Sequence, residues 1–154
     1  MQDITATADV PKGSFYNHFE SKEALGALIV DKYDVANELI ATLLDDSVPP
    51  LDRLRGYFSG FIRHVASLDY ARGCLLGSFS AEVADHSPLI RARLAAVYDR
   101  WTRGIAHAIA AGQADGSIAR GVDPDVLATT LLDAFEGSML RAASSGPRPR
   151  SIGS

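Results

Sequence analysis

Pro11-Lys12-Gly13-Ser14-Phe15-Tyr16-Asn17-His18-Phe19, followed by Glu20-Ser21-Lys22-Glu23-Ala24-Leu25, decides how the rest of the chain is read. Phe15 and Phe19 stand four apart, so a helix here puts both rings on one face. Lys12, Ser14, Tyr16 and His18 fall mostly elsewhere, toward solvent or a partner. The piece is too short to stand alone. Ser21 is placed to cap a second, longer helix, with Glu23 in its favourable first turn. A short helix with an apolar anchor and a polar outer face, held between two others, is how a helix-turn-helix presents its reading element.

Working outward, Gln2 to Ala8 reads as the end of a helix anchored by Ile4, and Asp9-Val10-Pro11 as a turn with Val10 tucked beneath. Pro11 suits a helix start, where an N–H has no intrahelical partner; Asp9 is the other candidate cap. Ser21 or Lys22 to about Leu44 reads as one long amphipathic connector, striped by Leu25, Leu28, Ile29, Val35, Leu39, Ile40 and Leu43. Asp45 to Pro50 breaks it. Helices are then expected over Leu51 to about Leu68, Cys74 to about Val83, and Ser87-Pro88 to about Ala111. A corner over 69–73 and a glycine-rich connection over 112–121 separate them. Asp123-Pro124-Asp125 opens a last helix by the cap, proline, acid pattern. The fold class is all-α, divided into a head and connector at 1–45, a helical body at 46–143, and a tail at 144–154 whose Gly/Pro/Arg composition predicts disorder.

Composition narrows the function classes. The 154 residues carry a formal charge of −4 and are 47% apolar. Residues 1–45 hold three lysines and eight acids, net −5, so the candidate reading segment is the acidic part of the chain. No apolar run reaches membrane-spanning length, no secretory start is visible, and one cysteine excludes a disulfide framework. A cytoplasmic setting is the expectation. Neither Cys-x-x-Cys nor His-x-x-x-His spacing supports a metal site, and no cofactor is expected. Glu82 to His86 reads as a helix end and turn, and no nucleophile motif makes the chain an enzyme.

Asp3 to Leu25 resembles the DNA-binding signature of the TetR family of transcriptional repressors: an Ile-Ala helix, a tight turn, Lys-Gly-Ser, an aromatic pair, His-Phe, then Ser-Lys-Glu-Ala-Leu. The resemblance implies double-stranded operator DNA as a partner, contacted by Lys12, Gly13, Ser14, Tyr16, Asn17, His18 and Lys22. It also implies a homodimer and release by a small-molecule effector. Gly73 to Val83 and Ala114 to Ile118 are similar to the ligand-binding domains of one subgroup, and Asp123–Leu140 to the first of two C-terminal dimerisation helices. On that pattern the first helix of the head and the last dimerisation helix are expected to be absent. A truncated regulator that folds or dimerises without binding DNA is therefore the second reading.

Within the body, Tyr57, Phe61, His64, Cys74, Phe79, Tyr98, Trp101 and Phe135 offer aromatic area with a few polar tips, the make-up of an apolar effector pocket. Ordinary core packing competes for each of them. On the last helix, Thr130, Ala134, Gly137 and Ser138 are small residues beside Leu127 and Leu131, suited to a dimer seam. Arg91, Arg93, Arg100 and Arg103 make a basic run whose plain reading is a solvated face with local ion pairs.

Overall fold

The computed structural model describes residues 2–9, 11–34, 36–67 and 74–144. Among them every regular element is helical: α1 (Gln2–Thr7), a 3-10 turn (Lys12–Ser14) running into α2 (Phe15–His18), α3 (Lys22–Tyr33), α4 (Ala36–Leu44), α5 (Pro50–Ser67), α6 (Leu75–Glu82), α7 (Pro88–Asp115) and α8 (Pro124–Ser144). Val10, Val35, the end of the expected helix at Leu68, the expected corner over 69–73 and all of the expected 144–154 tail but Ser144 lie outside the described residues.

Start signals written in the sequence are used where they stand. The Ser21 hydroxyl accepts from the Ala24 N–H at 3.0 Å and opens α3. Ser87 does the same for Ile90 at 3.3 Å ahead of Pro88. Asp123 Oδ1 accepts from the N–H groups of Asp125 and Val126, at 2.9 and 3.3 Å. Each satisfies a donor that the first helical turn leaves without a partner. Ser21→Ala is expected to cost about 1 kcal/mol, read as a lower urea midpoint for the head.

The connector corrects the sequence reading. It is two helices, broken where Asp34 takes φ −63° and ψ 56°. The cause is chemical. The Asp34 side chain is 2% exposed, pairs with the Arg100 guanidinium, and accepts from Trp101 Nε1 at 3.2 Å. Holding a carboxylate against α7 takes the backbone out of the helical register. The buried face of α3 also differs from the expected stripe: Gly26, Ala27 and Val30 face inward, whereas Leu28 is 42% exposed. Gly26 explains the close crossing. A Cβ there would stand 2.7 Å from Ile90 Cδ1, so any larger residue would require the Ile90 side chain to move.

Helix α7 is the centre of the body, with α3, α4, α5 and α8 packed on it. Leu94, Val97, Trp101, Ile105 and Ile109 are all but fully buried, and Val30, Leu43, Tyr57, Phe61 and Leu132 meet them. Arg53 is a buried cation that composition did not reveal. Its Nε donates to the Val48 carbonyl at 2.6 Å and its Nη1 to Asp46 at 2.7 Å. That clasp fixes the α4–α5 turn. The Arg53 bond, followed by the His107 contact, holds the Asp46 carboxyl below the usual carboxylate range.

Candidate nucleic-acid interface and effector site

The candidate reading segment folds as a 3-10 turn followed by a single α turn. Pro11 sits before it in an extended conformation, and Asp9 supplies the reversal at φ 52°, a left-handed angle that aspartate tolerates better than most residues. Ser14 Oγ donates to the Pro11 carbonyl at 2.7 Å and is half-buried. Phe15 is 4% exposed and its ring lies 5.2 Å from that of Phe19. Gly13, Tyr16, Asn17 and His18 are exposed, as is Lys22 in the first turn of α3. Tyr16 stands out at 61% exposure while its ring edge still touches Phe15 at 5.4 Å. The backbone of Lys12 belongs to the 3-10 turn; its side chain lies outside what is described. The surface thus groups five of the seven candidate contacts as solvent-facing, with Ser14 partly spent on its own backbone.

In the body most of the pocket candidates form one chain of rings. Tyr57 meets Phe58 at 5.2 Å, Phe58 meets Phe135 at 5.1 Å, and Phe135 meets Phe61 at 5.3 Å. Phe61 then meets Trp101 at 5.4 Å, and Trp101 meets Tyr98 at 5.9 Å. Most are edge-to-face, the favoured geometry for π systems. His64 stands apart from this chain, against Tyr33 at 6.1 Å. Phe79 is half-buried on α6 and packs on the core. Cys74 is fully buried, and desolvation pushes its thiol up to about 12, so it is protonated at neutral pH. An open apolar groove of about 440 Å³ runs beside Tyr33, lined by Leu28, Ile29, Lys32 and Leu75. The Tyr33 hydroxyl accepts from the Leu75 N–H at 3.3 Å at its edge.

Sequence reasoning missed Glu136. It is 9% exposed, and neither carboxylate oxygen has a hydrogen-bond partner. Burial raises its pKa; the facing Cys74 thiol eases that shift without a bond of ordinary geometry. Tyr57 repeats the pattern: its hydroxyl is buried and unpaired. Gly77 makes room for the acid, since a Cβ there would come within 3.1 Å of Glu136 Oε2 and 3.3 Å of Leu140 Cδ2. The signal was available. Ala128, Leu132, Glu136 and Met139 recur at helical spacing on the buried face of α8. A raised carboxyl pKa means the unfolded chain ionises first as pH climbs, so stability falls from the ordinary carboxylate range up to the folded-state pKa and then levels. Glu136→Gln is expected to flatten that segment of a stability-versus-pH series.

The expected seam residues divide. Thr130, Leu131, Ala134 and Gly137 are exposed, while Leu127 and Ser138 are half-buried. With Leu131 at 42% and Val126 at 57%, α8 presents an apolar outer face opposite the one it turns to α7. Of the basic run, Arg100 holds Asp34, Arg91 Nε donates to the Ala84 carbonyl at 2.9 Å, and Arg93 approaches Asp31 at 3.8 Å. Among the described residues no three His, Cys, Asp or Glu side chains converge as a metal-binding group, and no helix is long and apolar enough to cross a membrane.

Comparison with known proteins fixes the lineage. Residues 1–27 match the profile "Bacterial regulatory proteins, tetR family", and residues 50–148 match "Tetracyclin repressor-like, C-terminal domain". The chain belongs to the TetR family of transcriptional regulators. Over 143 residues the regulator is 44% identical to the HTH-type transcriptional repressor DhaR of Mycobacterium sp. (strain GP1), covering 92% of this chain and 70% of DhaR. It is 35% identical to the transcriptional regulator AcuR of Cereibacter sphaeroides, covering 92% of this chain and 66% of AcuR. The fold matches the crystal structure of regulatory protein TetR from Rhodobacter sphaeroides with a TM-score of 0.83 at 35% identity, over 94% of this chain and 77% of that one. It matches reduced Escherichia coli NemR with a TM-score of 0.77 at 28% identity, over 94% and 76%. The regulator's family is one of non-catalytic DNA-binding proteins.

Proposed function

We propose that this regulator represses transcription by setting the Lys12–His18 segment of two chains into successive major grooves of an operator, and that a small molecule among the body aromatics releases it. The observation that carries the reading is the segment's own geometry. Phe15 is buried beneath it, Tyr16, Asn17 and His18 face outward, and the capped start of α3 follows at once. In this reading Lys12 and Gly13 meet base edges or phosphate, Tyr16 and His18 donate to phosphate oxygens, Asn17 has the bidentate chemistry for adenine, and Lys22 adds charge beside the positive end of α3. The outer face of α8, including Thr130, Leu131, Ala134 and Gly137, supplies the seam between protomers. Two relatives named as repressors, DhaR and NemR, support the direction of control.

Effector and head are joined through one residue. Trp101 belongs to the ring chain and also donates to Asp34, which ends the helix that carries the head. Displacing the rings therefore loosens α3 at its far end.

A mobility-shift titration against the regulator's own promoter tests the proposal. Binding should weaken steeply with salt, and Lys22→Ala should lower the slope of log K against log salt by about one. The second reading, a regulator that dimerises without holding DNA, draws on the net −5 of residues 1–45. A folded dimer that shifts no promoter fragment at low salt is the result that favours it.

A further inference from the structure

We infer that Glu136 and Tyr57, with the rings of Phe58, Phe61, Phe135 and Trp101 beside them, form a subsite for a small organic ammonium ion. The inference rests on the effector reading above and names the charge class of the ligand. Two polar side chains on different helices, each at least nine-tenths buried, have no hydrogen-bond partner. Such groups are rare in a finished core, where an ordered water or another polar occupant completes them. The groups in electrostatic reach of Glu136 are Tyr33 of α3, Tyr57 of α5, Cys74 before α6 and Tyr98 of α7. Among the described residues none of these is basic. Lys32 belongs to the neighbouring groove.

The three possible ligand charges fare differently there. Among the described residues an anion meets a buried acid, and Arg100, whose Nε is also buried without a partner, is already held by Asp34, so an anion gains little for the hydration it loses. A neutral molecule gains ordinary hydrogen bonds to the Tyr57 hydroxyl and the carboxyl. An ammonium ion draws the proton off Glu136, which passes to solvent, and makes a charge-assisted bond to the carboxylate left behind. Tyr57 leads into the ring cluster, whose aromatic quadrupoles attract the same cation. The half-buried members of the chain, Phe58, Tyr98 and Phe135, are where the cluster reaches the surface.

The test uses the full chain with benzylamine, benzyl alcohol and benzoate, three probes of one shape and three charges. Trp101 is the sole tryptophan and adjoins the site, so its emission reports occupancy. Benzylamine is expected to bind about tenfold tighter than benzyl alcohol. Its affinity should rise with pH until Glu136 ionises unaided, with a proton released on binding, and benzoate should not bind. Glu136→Gln, which keeps the side-chain shape, should erase the preference for the amine and leave the alcohol unchanged. Equal binding of amine and alcohol, tighter binding of benzoate, no binding of any probe at millimolar concentration, or an indifferent Glu136→Gln variant overturns the inference. A promoter mobility shift run alongside separates the two readings. A shift without amine preference removes the ammonium subsite and leaves the regulator. Amine binding through Glu136 without a shift does the reverse.

Discussion

Asp34→Ala is expected to lower the unfolding free energy by about 3 kcal/mol, measured by urea denaturation followed on Trp101 emission. The substitution strands two donors. The Trp101 indole N–H sits in a residue 1% exposed and loses its only acceptor, which costs about 1–3 kcal/mol for a buried unpaired group. Arg100 loses its counter-charge, but its side chain is 41% exposed and water takes up much of that deficit. The total therefore stays below the upper end seen when a wholly buried pair is broken. Two companions sharpen the result. Asp34→Asn keeps an acceptor for the indole and is expected to cost about half as much. Pairing Asp34→Leu with Arg100→Met removes both charges and should come back to within about 1 kcal/mol of the parent. A midpoint for Asp34→Ala indistinguishable from the parent would show that the helix break has another cause. The loss of effector-dependent release in a variant that still binds promoter DNA is the functional counterpart.

Phe15→Ala is expected to remove operator binding while leaving the body intact. Phe15 is the one fully inward ring of the reading segment and touches both Tyr16 and Phe19. Truncating a buried phenylalanine costs about 3–5 kcal/mol, and a four-residue helix has no reserve of its own. The segment should therefore lose its fold locally. Promoter affinity is expected to drop more than about hundredfold, whereas the Trp101 emission and the main unfolding transition stay where they were. Undiminished promoter binding by this variant would mean that the exposed residues of α2 are not the reading surface.

Much of the head was legible because its signals are local. A proline, a serine cap and an i, i+4 aromatic pair each act within one turn, so Pro11, Ser21, Phe15 and Phe19 stand where the spacing put them. Helices α5, α7 and α8 were legible for the same reason, each opened by a proline or a cap, whereas α6 was legible from its apolar run alone. What escaped was non-local. The break at Asp34 depends on Arg100 and Trp101, sixty-six and sixty-seven residues further on, and the stretch around it reads as uninterrupted helix. Leu28 looks like stripe and faces water because Gly26 is the residue that meets α7. The effector candidates were half legible. Aromatic residues could be gathered from separate helices, but Glu136 was passed over as an acid among apolar neighbours, although its place in the i, i+4 pattern of α8 marked it as buried.

The division of the connector gives the regulator a fulcrum. Helix α3 has twelve residues and so an arm of about 18 Å. A tilt of about 10° about Asp34 carries its Lys22 end some 3 Å sideways, by the geometry of an arm of that length. Two protomers tilting in mirror fashion would double the offset between their reading segments. Successive grooves are separated by a fixed turn of duplex, so an error of that size puts one segment out of phase whenever the other is seated. Under the proposed function, control of transcription would need no unfolding of the head, only a small angle at one aspartate.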